Sequence, residues 1–224
     1  MSILNPVVSK FTITAGNIQQ VYVCPSDKSH AIVDLTLYKD NVIGDSLIAI
    51  ALSTEANPVN LSTVDFFVDD IQLIGVVNSG ELNKVIVGKD ERLYVKVISG
   101  NDVNARLAGV EEANTKVAKA GRLAATSLPN TAQTKIYENL LPNISYISCS
   151  ITVFNTVNNN NADVELWITT GASPSPTDKL VKVTIPAEDT TILENILITP
   201  NEKIFVQSSQ ANTEYFINGL VVSA

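Results

Sequence analysis

Apolar and polar residues alternate with a period of two through most of this chain, which predicts short β-strands rather than helices. The clearest run is 31–39, AIVDLTLYK, where Val33, Leu35 and Leu37, with Lys39 in phase, share one face while Ile32, Asp34, Thr36 and Tyr38 share the other. Before it, residues 11–14 and 21–23 are two short runs parted by Ala15-Gly16-Asn17, and 24–28 turns the chain. After it, 40–45 reads as a loop and 47–52 as a returning strand. Residues 53–63 are rich in Ser, Thr and Asn and are broken at Asn57-Pro58, so they read as a loop. Strands are expected again at 66–68, 71–77 and 82–87, with bends at Gly75 and Gly80.

The pattern then recurs. Residues 88–111, GKDERLYVKVISGNDVNARLAGVE, line up with 199–221, TPNEKIFVQSSQANTEYFINGLV, so that 91–95 lies over 202–206. Each copy reads as a strand, a polar turn with Asn and a second strand closing on Gly, which predicts a hairpin at the end of a domain. Further back, 149–155 (CSITVFN) matches 33–39. Asn158 to Asn161 stand where the 40–45 loop stood and read as a hairpin tip, because Asn tolerates left-handed turns. Residues 164–168 match 48–52, with Trp167 over Ala51, and the loop 171–176 matches the earlier Ser/Asn/Pro loop. Residues 123–125 and 134–137 match the opening pair. Runs 180–185 and 192–198 follow, with Pro186 and Pro200 marking strand ends. The expected fold is therefore all-β, with two tandem antiparallel β-sandwich domains, Ig-like or jelly-roll-like, related by an internal repeat. The boundaries are 1–112 for the first, 113–122 for a linker holding a turn or two of helix, and 123–224 for the second.

Composition narrows the chemistry. Fifteen basic against 23 acidic residues give a net charge of −8, which argues against nucleic acid as a partner, since that affinity comes from clustered Lys and Arg. The opening segment MSILNPVVSKFTIT has neither a basic region nor an unbroken apolar stretch, so no secretory signal is expected. No apolar run is long enough for a transmembrane helix, so no membrane partner is expected either. Cys24 and Cys149 lie in different halves without a CxxC pair and are expected to be buried, reduced thiols.

Candidate sites are few. His30, the single histidine, lies beside a turn, has no second metal ligand near it, and is expected at the surface. Asp65, Asp69 and Asp70, with Asp40 and Asp45, lack a calcium-loop spacing and read as a solvated acidic edge, as does Glu188-Asp189. No catalytic residue, cofactor or metal is expected, and the chain is not expected to be an enzyme. The candidate binding positions are Trp167, an anchor for a partner or sugar if it points outward although a lone strand Trp is more often core or cover within its domain, and the loops carrying Asn57, Pro58, Pro174 and Pro176.

The motifs Tyr22-Val23-Cys24-Pro25, the run 35–40, Gly88-Lys89-Asp90 with Leu93-Tyr94-Val95, and Gly109-Val110-Glu111 resemble the small β-sandwich virion proteins of tailed bacteriophages. The second half departs from that pattern at Pro200-Asn201-Glu202 and Gly219-Leu220-Val221. The resemblance implies a non-enzymatic virion structural protein, either decorating or cementing a capsid or attached at the neck or tail. It also implies assembly in the host bacterial cytoplasm, homo-oligomerisation in the particle, and partners among the other virion proteins. The alternative is a receptor- or carbohydrate-binding module of a fibre.

Overall fold

The computed structural model describes residues 4–39, 44–74, 79–140 and 143–223. Most of the expected 40–45 loop, Gly75 and the end of the 71–77 run lie outside the described residues. The chain divides into two units, of which the first comprises residues 1–115 with 119–122 and the second comprises 116–118 with 123–224. Strands of the first are β1 (Leu4–Ile13), β2 (Ile18–Val23), β3 (His30–Tyr38), β4 (Ser46–Ser53), β5 (Phe66–Leu73), β6 (Ser79–Gly88), β7 (Arg92–Ser99) and β8 (Val103–Glu112). They are followed by β9 (Val117–Ser127), β10 (Thr134–Glu138), β11 (Ile144–Phe154), β12 (Ala162–Thr169), β13 (Lys179–Ile185), β14 (Thr190–Ile198), β15 (Lys203–Ser208) and β16 (Glu214–Ser223).

In the first unit, sheet order is β1-β8-β3-β6 facing β2-β7-β4-β5, all antiparallel. The pairs are nested: first with last, second with seventh, third with sixth, fourth with fifth. A single long hairpin has been rolled so that successive pairs fall alternately into two sheets, which is the jelly roll. The other unit repeats the order as β9-β16-β11-β14 and β10-β15-β12-β13. The fold class is thus all-β and antiparallel, as the alternation predicted.

Four local expectations change. The segments 88–111 and 199–221 are not hairpins: β7 and β8 lie in different sheets, as do β15 and β16. The Asn158–Asn161 run is a turn, with Asn159 at φ 94, but it carries the chain from one sheet to the other. A strand alternates in the same way whether it pairs with its neighbour in sequence or crosses the sandwich, so periodicity could not separate the two. The stretch 113–122 is not a helical linker either, because β9 starts at Val117. Its polar Lys119-Ala120-Gly121-Arg122 stretch lies in an edge strand, where alternation is weak. Likewise β1 begins at Leu4 rather than Phe11, and Pro6 is tolerated because β1 is an edge.

The core follows the predicted faces. Val33, Leu35 and Leu37 are buried, and Lys39 joins them at 2% exposure, its Nζ donating to the Gly44 carbonyl. In the second unit Ile147, Cys149, Ile151 and Val153 of β11 pack with Val164, Leu166, Ile204, Val206 and Ile217. Asn155 takes the place of Lys39 and donates through Nδ2 to the carbonyls of Asn160 (2.8 Å) and Pro186 (2.9 Å).

Gly109 and Gly219 sit where the last strand of each unit crosses the third. A Cβ would lie 2.3 Å from the Ile32 carbonyl oxygen in one case and 2.5 Å from that of Ser148 in the other. Gly109→Ala and Gly219→Ala are each expected to cost about 1–3 kcal/mol, because backbone must shift to admit the methyl. Urea unfolding checks this. Trp167 fluorescence should report the Gly219→Ala loss, and circular dichroism the loss in either variant.

Candidate interaction surfaces

The two candidate loops are built alike. In the first, Asn57 caps a short 3-10 turn, Pro58–Asn60, accepting from the Val59 N–H at 3.1 Å. A second turn, Thr63–Asp65, is closed by Asp65 Oδ2, which accepts from the Ser62 N–H (2.7 Å) and hydroxyl (2.8 Å). In the second loop Ser175 and Asp178 repeat that arrangement at 2.7 and 2.9 Å around Pro176–Asp178. Both loops connect the directly paired strands β4 and β5, or β12 and β13. The first loop is drawn over its own sheet. Tyr94 donates its hydroxyl to the Glu55 carbonyl, and Arg92 Nη1 donates to that of Thr54 at 2.8 Å. What projects is the tip: Asn57 is exposed, Pro58 half-buried, and Val59 is 84% exposed. Pro174 is half-buried and Pro176 exposed.

Trp167 is only 5% exposed and is no open aromatic platform. It lies directly across from Phe205, itself buried, and Lys179 Nζ sits 5.3 Å from its ring centroid. The sequence shows a strand Trp but not what covers it.

His30 is likewise buried, at 1% exposure, contrary to the expected surface position. It opens β3 and is flanked by Gly88 of β6 and Glu112 of β8, so both sides are occupied. Its Nδ1 lies 2.9 Å from Ser29 Oγ. Its Nε2 stands 3.4 Å from Glu112 Oε2 without a hydrogen-bonding direction. Burial lowers the His30 pKa, and the Glu112 charge opposes this only in part. Cys24 and Cys149 are free and buried, and burial pushes both thiols up to about 12.

Asp40 lies outside the described residues, as do the side chains of Asp69 and Asp70. Asp65 is tied to the Arg122 guanidinium, and although burial works to raise its pKa, the hydrogen bonds from Ser62 and Arg122 outweigh that and hold it low. Glu91 is pushed up by burial even though the Gly88 and Arg122 N–H groups donate to its carboxylate. Among the described residues no group of three or more His, Cys, Asp or Glu could hold a metal ion.

Sequence reasoning missed the outer faces of the sheets. In the first unit one row crosses all four strands, Pro6–Val110–Ile32–Ile86, and every member is apolar and at least partly exposed. Beside it Val8 is 63% exposed. In the second unit Leu220–Ser148–Leu197 is the corresponding row, with Leu197 57% exposed and Tyr146 on the same face. A signal was present: consecutive apolar residues such as Val7-Val8 and Ile196-Leu197-Ile198 leave one large side chain on the solvent face whichever way the strand sits.

Strand order and these faces define an all-β protein of two successive jelly rolls. No protein-family profile matches the sequence, and no curated protein does. Among solved structures the chain is similar to one described as the crystal structure of the STIV MCP, with 9% identity over 100% of this chain and 97% of that one and a TM-score of 0.46. It is also similar to the major capsid protein P2 from Bacteriophage PM2, with 13% identity over 100% and 98% and a TM-score of 0.45. A third is the Cowpea mosaic virus top component, with 8% identity over 96% and 88% and a TM-score of 0.38. All three share little sequence with this chain, whose fold assignment rests on its own strand pairing.

Two outcomes follow from these placements. Trp167→Ala is expected to destabilise the second unit by about 3–5 kcal/mol, as for a buried aromatic. A loss below about 1 kcal/mol in chemical denaturation would mean the ring sits at the surface. For His30, the folded state resists a proton that the unfolded chain accepts near pH 6.5, so this residue's contribution is present above that pH and is lost as pH falls below it. The unfolding free energy of the wild type should therefore drop more steeply than that of His30→Gln between about pH 8 and about pH 5.5. Parallel slopes would refute the assignment.

Proposed function

We propose that this chain is a non-enzymatic structural protein of a virus particle, held there by protein–protein contacts. The observation that carries the reading is the pair of jelly rolls, each presenting exposed apolar residues on the outer face of a sheet already packed on its other side, Pro6, Val110, Ile32 and Ile86 in the first and Leu220, Leu197 and Tyr146 in the second. A monomeric protein gains nothing from exposed apolar rows that solvent covers, whereas a subunit of an assembly buries them. The finer role that the sequence motifs suggest is a capsid decoration, cement, neck or tail component of a tailed phage. Sites of attachment under this reading are the outer rows and the exposed tips around Asn57, Pro58, Val59 and Pro176. The receptor- or carbohydrate-binding alternative loses its main support in Trp167, which is covered.

Purified particles from the source, dissociated and quantified by mass spectrometry, test the reading. The chain is expected in a fixed copy number per particle, a multiple set by the particle's symmetry. Its absence from particles, together with saturable binding of the purified chain to a glycan array, would replace the structural role with the receptor-binding one.

A further inference from the structure

We infer that the outer face of β1 in one copy of this chain docks on the outer face of β14 in a second copy, so that the protein self-associates head to tail. This rests on the structural-component reading and names one of its partners.

The first observation is the shape of β1. Its pairing with β8 runs one for one from Leu4↔Glu112 to Ile13↔Val103, ten residues without a register shift. The edge strands β2, β5, β6, β10, β13 and β14 each carry an extra residue against their neighbour. Such bulges guard an edge against pairing with another strand, and β1 has none along its ten residues, so its outer face is a regular, uninterrupted surface.

The second observation is charge. On the outer face of β1, Lys10 stands directly opposite Arg106 of β8, and both are exposed. Neither has an ion pair among the described residues. Like charges facing each other across strands destabilise a sheet. In a chain with 23 acidic residues, two adjacent unpaired cations mark a place where negative charge is brought from outside. Next to them on β1 lie the exposed apolar Pro6 and Val8.

The complement is on β14. Ile192, Glu194 and Leu197 are exposed along it, and the turn before it exposes Glu188 and Asp189. Glu188 and Glu194 have no ion pair among the described residues. Apolar residues beside cations therefore meet apolar residues beside anions. A β1-to-β1 contact would instead bring four cations together. Because the two patches differ, the contact is heterologous, and it closes into a ring or continues as a filament.

Sedimentation of the full chain at about 100 µM, where even a contact of ~10 µM Kd is populated, is the test. The wild type is expected to be oligomeric and to dissociate as salt is raised. Lys10→Glu should weaken association by about tenfold or more while leaving the melting temperature unchanged or higher, because Glu at position 10 pairs with Arg106. Misfolding cannot mimic those opposite signs. Lys10→Glu with Arg106→Glu, and separately Glu188→Lys with Glu194→Lys, should each be monomeric, and mixing the two variants should restore the oligomer. A monomeric wild type overturns the inference, and so does an oligomer indifferent to these substitutions or a mixture that stays monomeric. A monomeric wild type that instead binds anionic lipid vesicles through Lys10 and Arg106 assigns the face to another partner. Incorporation of the Lys10→Glu, Arg106→Glu chain into particles at the normal copy number would sink this contact and leave the structural role standing.

Discussion

Each unit depends on its last strand finding its first. β8 must pair with β1 along ten residues before the sheet that contains β3 is complete, and the remaining pairs are nested within that closure. Contacts of such long sequence separation carry the loop-closure cost of almost a whole domain, so the sandwich gains little until most of it is assembled. The chain prepares the closure locally. In the turn before β7, Glu91 accepts through its side chain from the Gly88 N–H, Asp90 takes φ 62, and Cys24 exchanges backbone hydrogen bonds with Glu91 and Asp90 at 3.0 and 3.1 Å. In the turn before β15, Glu202, Asn201 (φ 66) and Asn139 make the same set of bonds at 3.0 and 3.1 Å between backbones. These turns fix the point at which the chain leaves one sheet for the other, between β6 and β7 in the first unit and between β14 and β15 in the second.

Much of that scaffold was legible in the sequence. The face carrying Val33, Leu35, Leu37 and Lys39 was readable because burial imposes period two, and the alignment of 91–95 with 202–206 was readable because the turns before them need the same acid and left-handed residue. Connectivity was not. Nothing local distinguishes β7 and β8 as members of different sheets, since each buries one face either way. The early halves of β1 and β9 were missed because an edge strand exposes both its outer face and one backbone flank. Pro6 and the Lys119–Arg122 stretch are then tolerated, and the pattern fades. Burial of His30 was equally out of reach, as was the identity of what covers Trp167. What covers a side chain comes from strands distant in sequence, Glu112 and Gly88 in one case and Phe205 in the other.

Corresponding positions in the two units solve the same packing problem with different chemistry. At the end of the third strand Lys39 reaches one carbonyl with a flexible amine, whereas Asn155 spans two connections with a short amide. On the outer face of the sheet that holds β4, Ala51 leaves room for Tyr94 beneath the 54–65 loop. Trp167 fills the matching place in β12 against Phe205 and Lys179. Backbone pairing sets the architecture, and the outward side chains are free to diverge because few of them hold the sandwich together.

That freedom gives meaning to the outward positions that are apolar. Buried faces must be apolar in any sandwich, so Val33 or Ile151 says nothing about partners. Pro6, Val8, Val110 and Ile32 are under no such requirement, and solvent favours polar replacements there. The edges support the same distinction. Six edge strands are broken by bulges, two of them with a left-handed residue at the matching point, Lys84 in β6 and Asn195 in β14. β1 keeps its straight run and guards it only with Pro6 and an uncompensated pair of cations. A proline and two like charges discourage promiscuous strand pairing without closing the surface to a partner of opposite charge, and so the edge stays selective rather than sealed.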